Sequence, residues 1–165
     1  MLAAGHGVLR QERSVKRGEA TDLPVLGWRE WLALPELGIA RIKAKVDTGA
    51  RSSALHATTI ETLDNGRVRF SLQPLQKSTD EQWCEAELID RRWVTDSGGH
   101  RELRPFISTA ILLGGERWNV EVSLSARHAL RFRMLLGRTA IAGRFAVDPA
   151  ASFVQGRIRR PKVAA

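Results

Sequence analysis

Apolar and polar positions alternate with a period of two along much of this chain. That pattern marks strands with one face in a core. The clearest run is Ile39 to Val46, with Ile42, Ala44 and Val46 on one face and Arg41, Lys43 and Lys45 on the other. Trp28 to Leu34 precedes it, and Pro35-Glu36-Leu37-Gly38 supplies a turn, so the two segments predict a hairpin. Ser53-Ala54-Leu55-His56-Ala57 then leads into Thr58 to Leu63. Asp64-Asn65-Gly66-Arg67 predicts a tight turn into a strand over Val68 to Leu72. Trp83 to Asp90 reads as a further strand, and Arg92-Trp93-Val94 and Leu103 to Ile107 flank a polar tip, Thr95 to His100. Thr109 to Leu113 and Trp118 to Leu124 form a hairpin about Gly114-Gly115-Glu116. Leu130 to Gly137 is apolar, interrupted by Arg131 and Arg133. Arg138 to Ala142 predicts one short helix closed by Gly143, and Phe145 to Asp148 a last strand before Pro149.

Many short strands, regular turns and one or two short helices predict an all-β, barrel-like fold. The chain has 165 residues, 43% of them hydrophobic, which suits one domain with a core. Residues 25–157 carry the strand pattern; 1–24 and 158–165 read as basic tails. There is no internal repeat.

Charge and cysteine content narrow the setting. The formal net charge is +8, which favours acidic partners: nucleic acid, anionic lipid or acidic peptides. Cys84 stands alone, so no disulfide can form within the chain, as suits a reducing compartment. No run approaches the roughly 18 apolar residues of a membrane span, and the first twenty-odd residues lack an apolar signal segment. The expectation is a cytoplasmic protein without a membrane partner.

Candidate chemistry centres on Val46-Asp47-Thr48-Gly49-Ala50 at the end of the best-patterned strand. Such a string puts a carboxylate at the bottom of an aspartic peptidase cleft. Asp is the acid/base group, Thr pins the loop, Gly permits close approach and Ala leaves room. Asp-Thr-Gly is also an ordinary turn sequence. Two later features raise it above that. A glycine-bearing hairpin tip about Gly98-Gly99 could close over substrate. Leu135-Leu136-Gly137-Arg138 could thread beside the Asp loop and enter a helix. One domain of this length carries one such Asp, so a second carboxylate must come from another chain.

Five segments resemble a known family: Gly27 to Trp31, Leu34 to Ile39, Lys43 to Arg51, Ser53 to Ala57 and Phe132 to Ala140. They are similar to the bacterial family labelled ATP-dependent zinc proteases, or RimK/LysX-associated proteins, grouped with the retropepsin-like aspartic endopeptidases. The resemblance spans about Val25 to Arg157. It implies a retropepsin-like closed β-barrel and a homodimer whose Asp-Thr-Gly loops meet at a twofold axis. It also implies that Asp47, with Thr48 and Gly49, is catalytic without cofactor or metal. Ala50, Arg51, Gly98 and Gly99 then become substrate-binding candidates, and an ATP-grasp ligase pathway becomes a candidate partner. Retroviral enzymes carry an acid where this chain has Arg51, so Arg51 is expected either to favour acidic substrates from the cleft or to pair with another carboxylate.

Rival readings use the same residues. A zinc peptidase needs closely spaced ligands such as His-Glu-x-x-His, but His6, His56, His100, His128 and Cys84 are scattered singles. No phosphate-binding Gly-x-x-x-x-Gly-Lys motif supports ATP use. Asp96-Ser97-Gly98 is a variant of Asp-Thr-Gly, but its charged surroundings suit a hairpin tip. A nucleic-acid module would draw on Arg127, His128, Arg131 and Arg133 and on the tail Arg157, Arg159, Arg160 and Lys162. Trp28, Trp83, Trp93 and Trp118 at strand spacing fit core or interface better than base stacking, so nucleic acid is not the expected partner. The remaining alternative is a non-catalytic member of the fold that binds an acidic or ribosomal partner.

Overall fold

The computed structural model describes residues 22–126 and 131–156. Arg127, His128, nearly all of the amino-terminal tail and the carboxy-terminal tail from Arg157 lie outside them. Eleven strands follow in order: β1 (Val25–Gly27), β2 (Arg29–Leu34), β3 (Ile39–Asp47), β4 (Ser53–His56), β5 (Thr59–Thr62), β6 (Arg67–Leu72), β7 (Gln82–Thr95), β8 (Arg101–Leu113), β9 (Glu116–Ser125), β10 (Met134–Gly137) and β11 (Ala146–Asp148). One helical turn, α1 (Arg138–Ile141), follows β10, and Pro35–Leu37 forms a 3-10 turn between β2 and β3.

Nine strands form one sheet in the order β2-β3-β10-β4-β9-β8-β7-β6-β5. β2 also pairs with β8, through Ala33 and Leu112, which closes β2, β3, β10, β4, β9 and β8 into a ring. β7, β6 and β5 extend from that ring, and β1 pairs in parallel with β11 as a separate ribbon. The all-β expectation and the short helix at Arg138 hold. Two short strands, β1 and β4, were not read from the sequence as strands, and β5 was read only as the segment entering the Gly66 turn.

The two segments flanking the polar tip are longer than their patterns. β7 runs through Ile89 and Arg91 without a break, and β8 runs through Pro105. Pro105 faces Arg91 on β7, while pairing of β8 with β9 begins only at Phe106. The proline therefore sits where β8 has a partner on one side, a position that needs no second N–H.

The core is the inner face of the ring. Ile42, Ala44, Leu55, Ile107, Ile111, Val122, Leu124 and Leu136 are all buried within it. Trp118 is buried too, and its indole N–H donates to the Ala140 carbonyl at 3.0 Å. Of the tryptophans expected in core or interface, Trp83 and Trp93 are not in the core: they are 44% and 58% exposed. Each is covered on one side by a guanidinium instead, Arg69 over Trp83 and Arg101 over Trp93.

Glu30 is fully buried between Leu32 and the carboxy-terminal segment, on the inward face of β2. Its carboxylate accepts the backbone N–H groups of Gly27 at 2.7 Å, Val154 at 2.9 Å and Gln155 at 3.3 Å. A buried carboxylate is tolerated when such donors replace water. Glu30 thus ties residues 153–156 to the start of the fold.

Candidate active site

β3 carries its alternation to its last residue, so Asp47 leaves the sheet on the same face as Lys45. The loop that follows is shaped by the Asp47 side chain. Oδ1 accepts the N–H of Gly49 at 3.1 Å and of Ala50 at 3.2 Å, and the Asp47 carbonyl accepts the Ala50 N–H at 3.3 Å. Among the described residues Oδ2 accepts no hydrogen bond. One carboxylate oxygen therefore organises the loop and the other takes no part in it. Thr48 and Gly49 are exposed at the apex.

β10 braces this loop. It runs parallel to β3, with Leu136 beside Val46 and Gly137 beside Asp47, and antiparallel to β4. The Arg138 N–H donates to the Ala50 carbonyl at 2.8 Å, and the Thr139 N–H to the Arg51 carbonyl at 3.1 Å. The Thr139 hydroxyl reaches the same Arg51 carbonyl at 2.8 Å, and Arg138 Nη1 reaches the Gly49 carbonyl at 3.1 Å. Gly137 donates to Ser53 Oγ at 3.0 Å, and Ser123 Oγ donates to the Ser53 carbonyl at 3.3 Å. A Cβ on Gly137 would stand 2.4 Å from the Ser52 carbonyl carbon, so only glycine lets the two segments meet. The expected Leu135-Leu136-Gly137 thread beside the Asp loop is thus present.

Arg51 lines a cavity of about 260 Å³ with Ser52, Arg92, Asn119, Val120, Glu121, Thr139 and Ala140. Glu121 is the carboxylate that shares this cavity with it. Arg92 binds Glu121 through two nitrogens, at 2.8 and 3.3 Å, and Asp90 at 2.6 Å. The Arg92 hydrogen bond holds the Glu121 carboxyl below its ordinary range, and the Arg51 charge adds to the effect. Asp90 is lowered first by its Arg92 bond, then by the Arg91 N–H. β9 therefore contributes a residue, Glu121, that sequence reasoning missed. Its signal was only a charged position on an alternating strand.

Asp96-Ser97-Gly98 is a hairpin tip. Asp96 Oδ1 accepts the N–H groups of Gly98 at 2.7 Å and His100 at 3.0 Å, and Gly99 takes φ +84°. The strands that carry this tip pair only with each other from Asp90 to Pro105, because the pairing of β7 with β6 stops at Glu87 and the pairing of β8 with β9 starts at Phe106. The turns at Gly66 and at Gly114-Gly115 join strands held within the sheet. Of the three hairpins that could have covered a cleft, the one at Gly98-Gly99 alone is a two-stranded ribbon. Trp93 and Leu103 face each other on it, 58% and 44% exposed.

Among the described residues no three His, Cys, Asp or Glu side chains converge as a metal ligand set. Cys84 is buried with Sγ 3.5 Å from the Leu37 carbonyl, and burial pushes its thiol up to about 11. No described helix is long and apolar enough to cross a membrane.

Comparison with known proteins agrees with this geometry. A family model described as retropepsin-like aspartic endopeptidase RimB matches residues 25–158. Two relatives from Shewanella pealeana and Shewanella halifaxensis, each named "Probable alpha-L-glutamate ligase", are 42% identical over 136 and 137 residues. A third with that name, from Parasynechococcus marenigrum, is 38% identical over 145 residues. The matches cover 80%, 81% and 86% of this chain but only 30%, 30% and 31% of those relatives. A crystal structure of a Legionella pneumophila protein of unknown function is 29% identical with a TM-score of 0.65. It covers 80% of this chain and 98% of its own.

Proposed function

The chain belongs to the RimB-like family of retropepsin-like aspartic endopeptidases, and from that premise we propose that it hydrolyses peptide bonds as a homodimer. The observation that carries this reading is the Asp47 loop itself. One carboxylate oxygen is spent on the loop, the other is left, and the Thr48-Gly49 apex is exposed for a second copy.

The chemistry follows from placing two such loops together. Two carboxylates held about 3 Å apart cannot both ionise, so they share one proton. The ionised Asp47 takes a proton from a water between them, and that water attacks the scissile carbonyl carbon. The protonated Asp47 donates to the carbonyl oxygen. Collapse of the tetrahedral adduct expels the amine, which takes its proton from the dyad. No covalent intermediate forms. Thr48 and Gly49 make the loop-to-loop contact, Ala50 and Arg51 border the bound peptide, and the Gly98-Gly99 ribbon closes over it.

For substrate we propose peptides rich in glutamate. Arg51 follows the loop directly, and the chain carries a formal net charge of +8. The relatives that contain this unit are named glutamate ligases, and a peptidase joined to a ligase has that ligase's product within reach. Purified protein assayed on a glutamate-tailed peptide, beside Asp47→Asn and with a chelator, tests the mechanism. The reading expects Asp47→Asn to lose about 10³-fold or more in kcat and the chelator to have no effect. Cleavage that survives Asp47→Asn, or that the chelator abolishes, would overturn it.

A further inference from the structure

The outward face of the β2–β3 hairpin gathers four cations, Arg29, Arg41, Lys43 and Lys45. Arg29 stands opposite Lys45, and Trp31 opposite Lys43, in the antiparallel register, with Arg41 next along β3. Arg29 lies 4.6 Å from the Trp28 ring and 4.9 Å from Phe153, and Arg41 5.4 Å from Trp31. Lys43 lies 5.2 Å from Trp31, which itself stacks on Phe153 at 6.0 Å. Gln76 joins this face to the exposed Arg131, bonding Lys43 Nζ through its carbonyl and the Arg131 carbonyl through its amide. Among the described residues, Arg29, Arg41 and Lys45 form no ion pair, whereas Arg67, Arg92, Arg104, Arg117 and Arg144 each do. The only carboxylate on β2, Glu30, points the other way into the core.

We propose that this face binds the phosphate backbone of single-stranded RNA, independently of the peptidase reading. Three observations favour RNA over an acidic polypeptide. First, Arg29 and Arg41 are guanidiniums laid flat on aromatic rings, and among the described residues Arg29 commits only Nε, to Ser152 Oγ at 3.2 Å, so its Nη groups are placed to grip phosphate. Second, the cations spread over two strands, about 5 Å apart across the hairpin and about 7 Å apart along it, so they form a surface rather than a line. Third, β3 is paired on both sides, by β2 and β10, and the backbone of β2 is covered by β3, β8 and the Phe153 N–H. An extended peptide would find no free strand edge there to add to, whereas a phosphate backbone needs none. The rings are half-buried beneath the cations, so contact is with phosphate and sequence preference is weak.

The test is fluorescence anisotropy of a labelled oligouridylate of about 20 nucleotides with the full chain over a range of salt. Roughly four phosphate contacts predict that log K falls with log salt at a slope near −3. Arg41→Gln with Lys45→Gln should halve that slope and weaken binding more than about tenfold at low salt. A charge-matched control, Arg69→Gln with Arg101→Gln, removes two ring-stacked cations elsewhere and should change binding less than about threefold. Absence of RNA binding, or equal losses in both double variants, would overturn the proposal. So would displacement of the RNA by an oligoglutamate of equal charge at lower concentration than unlabelled oligouridylate, which would assign the face to an acidic polypeptide.

Discussion

At the scale of single residues, the account rests on groups whose surroundings leave little freedom. Gly137→Ala must drive a Cβ into the Ser52 carbonyl, so a cost of about 1–3 kcal/mol and loss of the Asp47 loop geometry are expected. Thermal unfolding beside a peptide assay checks this: activity should fall further than stability explains. Glu30→Ala strips three buried N–H donors of their acceptor, an expected cost on the order of 3 kcal/mol. Glu30→Gln keeps one acceptor oxygen and should lose less, as denaturant melts will show. The Cys84 thiol, pushed up to about 11, stays protonated near neutral pH. It should resist a thiol reagent in the native protein and react promptly once the chain is unfolded. The Asp47 loop stood out in the sequence only once its string was joined to the later Leu135-Leu136-Gly137 segment, since Asp-Thr-Gly alone is also a turn. Glu30 was visible only as a charge at an inward position of β2, between Arg29 and Trp31, and its role needed residues 154–155, more than a hundred positions away.

At the scale of elements, β3, β6, β9 and the hairpin about Gly114-Gly115 were legible because one face of each is buried and the other wet. β1 and β4 were not, because three or four residues carry too little periodicity to stand out. β7 and β8 were read in pieces, since the ribbon from Asp90 to Pro105 has no buried side over most of its length and so imposes no strict alternation. The same fact predicts its dynamics. Amides from Arg91 to Leu103 should exchange with solvent at least about tenfold faster than those of Ile107 to Leu113, which pair with β9 throughout and are mostly buried. Arg92 links β7 to β9 through Glu121. A carboxyl lowered in the fold stabilises it above the unfolded pKa, and that contribution is lost as pH falls through the folded value. Arg92→Gln should therefore lower stability slightly at neutral pH and leave it unchanged below the folded pKa, so that the acid limb of the profile becomes shallower. The contribution is small, since both groups are exposed.

At the scale of the whole molecule, ring closure of six strands puts β10 between β3 and β4 and so sets Gly137 beside Asp47. That neighbour is ninety residues away, and its pairing was foreseeable only from the order of the three motifs. The chain spans about three tenths of the length of the curated relatives it matches, so the same unit stands within larger proteins as well. The central claim is that one Asp47 is half of a site. Mixing wild type with Asp47→Asn after subunit exchange tests that claim most directly, with wild-type concentration held fixed and peptide cleavage measured. Random pairing of a symmetric dimer predicts that activity falls to about half at an equimolar mixture and about a quarter at threefold excess. Activity that stays constant across the series would contradict it.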